Sequence, residues 1–96
     1  MYARITPYKM KPGSKDAAMK IMDKLKDQIM ALPGQHSFLN VLDDKAGSGY
    51  VVSTTELSET SPETAEKIKG LWANFASYIE GQPQAHSFEV LADWKR

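Results

Sequence analysis

From Ser14 to Leu32 the apolar side chains Ala18, Ile21, Met22, Leu25, Ile29 and Leu32 return at three- and four-residue steps, with Lys15, Asp16, Lys20, Asp23, Lys24 and Asp27 between them. That period lays one apolar stripe along an amphipathic helix. Pro12-Gly13-Ser14 marks its start, with Ser14 placed to cap a free N–H and Asp16 favoured by the helix dipole, and Pro33-Gly34 marks its stop. A second stripe, Ala65, Ile68, Trp72, Phe75 and Ile79, follows the N-cap and first-turn proline of Ser61-Pro62-Glu63 and predicts a helix ending at Gly81. Gly70 interrupts this helix at a cost of about 1 kcal/mol relative to alanine.

Four segments have the β-branched and aromatic content of strands: Tyr2 to Lys9, His36 to Asp43, Gly49 to Glu56 and Ala85 to Trp94. Asp44-Lys45-Ala46-Gly47-Ser48 joins the middle two and predicts an antiparallel hairpin. The order is βαββαβ. Right-handed crossovers then place both helices on one face of a four-stranded antiparallel sheet of order 4-1-3-2, the ferredoxin-like α+β plan. His36-Ser37-Phe38 recurs as His86-Ser87-Phe88 at the matching place in the second half, an echo that supports two βαβ units. Pro7 is the misfit, because a central strand needs ladder donors; a bulge or lost pairing is expected beside it.

Length and charge narrow the picture. Ninety-six residues make one domain, spanning 1–96. Twelve basic against twelve acidic side chains give no net charge and no basic block, so nucleic acid and anionic membranes are not expected partners. The absence of cysteine excludes a disulfide framework, a thiol nucleophile and thiolate metal sites. No apolar run reaches the length of a membrane span, and Met1 leads directly into Tyr2-Ala3-Arg4-Ile5; a cytoplasmic location is expected.

With both helices on one face of the sheet, the other face should be polar or covered. It is not polar. Phe38 and Leu42 alternate with Leu39 and Val41, so the second strand is apolar on both sides, and Phe88, Val90 and Trp94 oppose Leu91 in the fourth. Two such sheets packed face to face make a homodimer.

Lys11-Pro12-Gly13-Ser14 before the first helix, Leu32-Pro33-Gly34 before the second strand and Gly49-Tyr50-Val51-Val52-Ser53 in the third resemble the dimeric α/β-barrel superfamily. Within it, the chain is most similar along its whole length to the antibiotic biosynthesis monooxygenase family. The resemblance implies a dimeric α/β barrel with a pocket between sheet and helices in each subunit. Relatives include cofactor-independent oxygenases of phenolic or quinol substrates, haem-degrading oxygenases, isomerases and members without known activity. Haem-degrading relatives carry an asparagine in the first strand and a histidine near the end of the second helix. Neither is present here, so haem degradation is not expected.

Trp72, Phe75 and Tyr78 stand where these relatives place pocket-lining aromatics, and would bind a planar substrate by stacking; burial alone predicts the same stripe as core. Asn74 falls about 200° around the helix from Trp72, toward solvent. His36 and His86, the only histidines, have the intrinsic pKa of a general base, with His86 nearer the end of the second helix; hydrogen bonding at strand ends is the alternative. Opposite sheet edges keep the two apart, and no carboxylates stand at ligand spacing, so no metal is expected. Arg4, Thr6 and Tyr8 share a face of the first strand, where Arg4 would hold an anionic or phenolate oxygen, or else pair with a carboxylate across the dimer.

The expected activity is cofactor-free oxygenation of an aromatic or quinol-type substrate, with His86 and Arg4 catalytic and Trp72, Phe75, Tyr78, Tyr8 and His36 binding substrate. The alternatives are a non-catalytic dimer that sequesters a small hydrophobic ligand, and a structural dimer without one. A cavity of about 300 Å³ or more with convergent polar groups separates the first two from the third.

Overall fold

A computed structural model describes residues 1–96. The elements are β1 (Tyr2–Met10), α1 (Lys15–Met30), β2 (Gln35–Asp43), β3 (Ser48–Thr55), α2 (Pro62–Ala73), β4 (Ile79–Glu80) and β5 (His86–Glu89). The sheet is antiparallel, in the order β2-β3-β1, with β4 and β5 both against the far edge of β1. This is the ferredoxin-like α+β arrangement, with the fourth strand in two pieces.

The break follows from register. Glu80 pairs with Lys9 and His86 with Ile5, so Gly81 to Ala85 must pass opposite only Thr6, Pro7 and Tyr8. The surplus residues loop out, and Gly81 opens the loop at φ +73°, a backbone region that favours glycine. Pro7 still sits in the β1–β3 ladder opposite Tyr50, and pairing is lost on its other edge. Beyond Glu89 the chain leaves the sheet, so the strand expected to reach Trp94 stops earlier.

The helices also end differently from their apolar stripes. α1 stops at Met30, and its N-terminal amides are met from outside: Gly13 N and Lys15 N donate to Asp44 Oδ1 at 3.1 and 3.2 Å, while the Ser14 side chain makes no cap. α2 is capped as expected, Thr64 N donating to Ser61 Oγ at 3.2 Å. It ends at Ala73 because the exposed Asn74 side chain turns back and donates Nδ2 to the carbonyls of Gly70 and Leu71 at 3.0 and 3.2 Å. Tight turns follow, so Phe75 and Tyr78 lie beyond the helix.

The core is the layer between helices and sheet. Met10, Ala18, Leu25, Ile29 and Phe75 form its buried cluster, with Phe38, Leu42, Leu71, Trp72 and Ile79 packed partly against it. The opposite face of the sheet is bare. Leu39, Val41, Tyr50 and Phe88 are each exposed there. Cross-strand pairing joins this face into continuous rows: Leu39, Val52, Ile5 and His86 form one, and Val41, Tyr50 and Pro7 another. The two His-Ser-Phe triplets therefore differ in orientation: Phe38 lies with Ser53 and Arg4 on the helix side, and Phe88 with Ala3 on the bare side.

Candidate functional site

Alternation along β1 sends Arg4, Thr6, Tyr8 and Met10 to the helix side, where they floor a cavity of about 750 Å³. Its walls come from α1 (Met22, Leu25, Ile29), α2 and the turn after it (Ile68, Trp72, Phe75), and its rim from the looped segment, with Gly81, Gln82, Pro83 and Ala85. Most of the lining is apolar, with a few polar groups set into it, as in small-molecule sites generally.

Tyr8 organises one end. Its ring is 6% exposed and lies against Gly49, whose missing side chain makes room for it: a Cβ there would overlap the Tyr8 phenol and the Val41 carbonyl. The Tyr8 hydroxyl donates to Asn40 Oδ1 at 2.6 Å, and Asn40 Nδ2 points to Met22 Sδ at 3.6 Å. Burial raises the Tyr8 pKa above its ordinary value near 10, outweighing the Asn40 hydrogen bond that lowers it. The group is thus a neutral phenol at physiological pH, a hydrogen-bond donor rather than a base.

Trp72 stands over Tyr8 with ring centroids 5.6 Å apart and planes at 57°, and Phe75 meets Trp72 edge-on at 6.2 Å. The three rings make a tilted aromatic wall beside the Tyr8–Asn40 pair. Arg4 lies half-buried toward the other end, and burial lowers its pKa below the ordinary arginine value.

The cavity thus brings together Arg4, Tyr8, Trp72 and Phe75. Tyr78 packs against the core cluster outside the lining. His36 sits in a bulge of β2 and its Nε2 lies 2.9 Å from Glu56 Oε1 at the surface. His86 pairs with Ile5, whose row belongs to the bare face, and it is not part of the lining either. Asn40 was not singled out by the sequence reading, although one polar residue between Phe38 and Leu42 on a helix-facing strand side was a visible signal. No group of three or more histidine, aspartate or glutamate side chains stands together in a way that would hold a metal ion.

Solved structures share this architecture. A candidate antibiotic biosynthesis monooxygenase from Bordetella bronchiseptica superposes with a TM-score of 0.73 at 13% identity, over 95% of this chain and 97% of that one. The fold is that of the antibiotic biosynthesis monooxygenase structures. A second such protein, from Chloroflexus aurantiacus, gives 0.63 at 19% identity over 98% and 96% of the two chains, and one from Nitrosomonas europaea 0.68 at 13% over 96% and 100%. No protein-family model and no curated protein sequence matches the chain. No helix is long and apolar enough to cross a membrane.

Proposed function

We propose that the chain is a cofactor-independent monooxygenase for an aromatic, phenol- or quinol-type substrate, held in the helix–sheet cavity of each subunit of a homodimer. The observation that carries this reading is the cavity itself: about 750 Å³ of mostly apolar space with an aromatic wall and a part-buried hydroxyl–amide pair facing it. A phenolic ring fits against Trp72 and Phe75 with its oxygen near Tyr8. The names of the structural neighbours support the same class.

The chemistry follows from what the lining offers. It contains no carboxylate and no histidine, so the substrate's own acidity supplies the electron-rich species. A phenol that ionises in the cavity beside Tyr8 takes a hydrogen bond from Tyr8 Oη once that hydroxyl turns from Asn40 Oδ1. One electron passes from the phenolate to dioxygen, and recombination forms a carbon–oxygen bond at a ring carbon bearing hydrogen, the proton shed on ionisation returning to the peroxide oxygen. Loss of water then leaves a quinone, so one oxygen atom stays on the ring and the other leaves as water. The protein supplies orientation and exclusion of bulk water. His86 and His36, outside the lining, take no part in this reading, whereas Arg4 lines the cavity at the end away from Tyr8.

Oxygen uptake with a panel of phenols and quinols is the direct test. Turnover of at least one, lowered about 10- to 100-fold in Tyr8→Phe with the fold intact, is the expected result. A panel that binds in the cavity without consuming oxygen would favour a binding module instead.

A further inference from the structure

At the end of the cavity away from Tyr8, three polar side chains line up across neighbouring strands. Arg4 on β1 pairs in register with Ser53 on β3, and Gln35 on β2 donates Nε2 to Ser53 Oγ at 3.3 Å. Arg4 and Tyr8 stand four positions apart, about 13 Å along an extended strand. Arg4 also lines a second recess of about 530 Å³, together with Leu57, Glu59, Thr60, Ala85 and Ser87, so its side chain stands where the two spaces meet.

This guanidinium has no partner. The ion pairs of the chain are His36–Glu56 and Lys95–Asp93, and no side-chain hydrogen bond involves Arg4. Glu59 is the one carboxylate lining either space, and it makes no ion pair. A half-buried arginine with an empty five-donor fork is costly, and the geometry of that fork matches a planar carboxylate. The same corner holds a second unmet group: Gln35 Oε1 is buried without a hydrogen-bond partner. The free cation at the cavity's end asks for an oxyanion, and the orphan acceptor across β3 from it asks for a donor.

We infer that Arg4 anchors a carboxylate of the ligand, so that the cavity takes an aromatic hydroxy acid whose acid group meets the Arg4 guanidinium and whose phenolic ring lies against Trp72 and Tyr8. The inference rests on the aromatic-substrate reading above and narrows it from phenols in general to phenols bearing an acid.

Isothermal titration with the matched pair 6-hydroxy-2-naphthoate and 2-naphthol tests it. The naphthoate should bind the unmodified protein about 10- to 100-fold more tightly than the naphthol. Arg4→Met should erase that preference by weakening naphthoate binding, and Arg4→Lys should retain part of it. Equal affinities in the unmodified protein, or a preference that survives Arg4→Met, would overturn the carboxylate anchor and leave the aromatic cavity standing. Binding of neither compound would overturn both readings. The unmodified protein decides the matter even if Arg4→Met does not fold.

Discussion

Tyr8 shows how one side chain is held by its neighbours. Gly49 gives it space, Asn40 takes its proton donor and Trp72 covers its ring. Because burial raises its pKa, the folded chain keeps the Tyr8 proton at a pH where the unfolded chain has begun to lose it. The stability this represents is complete below about pH 10 and is lost as pH rises from there through the folded-state pKa. The difference in phenolate absorbance between the unmodified protein and Tyr8→Phe should therefore show a transition above the ordinary tyrosine value near 10. A difference transition at or below that value would contradict the enclosed geometry. Arg4 and Tyr8 could be nominated from sequence because alternation alone puts them on one strand face. Asn40 and Gln35 could not, since each acquires its role from a residue on another strand: Tyr8 for the first, Ser53 for the second.

Among the elements, those with their own local period were the readable ones. α1, the β2–β3 hairpin and the start of α2 carry their signals within a few residues. The end of α2 does not, because Trp72, Phe75 and Ile79 keep helical spacing straight through the point where Asn74 closes the helix. The split of the fourth strand is equally hidden, being a difference in length between two strands that meet only in the fold. The start of α1 depends on a distant residue too, since the hairpin's Asp44 meets its amides. Asp44→Ala should destabilise the protein by about 1 to 2 kcal/mol, read as a lower urea midpoint at unchanged slope. Ser14→Ala should not lose a cap, because the Ser14 hydroxyl supplies none.

For the molecule as a whole, the bare sheet face is an unpaired apolar surface. Leu39 is 58% exposed, Tyr50 51% and Phe88 53%, and they lie in adjoining cross-strand rows. A second copy packed face to face would cover them. Sedimentation at micromolar concentration should give twice the 10.7 kDa chain mass, and Leu39→Lys should shift the protein toward that single-chain mass. A monomer in the unmodified protein would remove the homodimer from the reading.

The detour of Gly81 to Ala85 bears on how anything enters the cavity. A continuous fourth strand would bolt that edge shut, and admission would require breaking ladder bonds along β1. Here the wall opposite Thr6, Pro7 and Tyr8 is a loop with no ladder to break. A ligand can pass by displacing a few residues that the sheet does not hold, while the β1–β3 floor under the aromatic wall stays fixed. Access and rigidity are thereby assigned to different edges of the same strand.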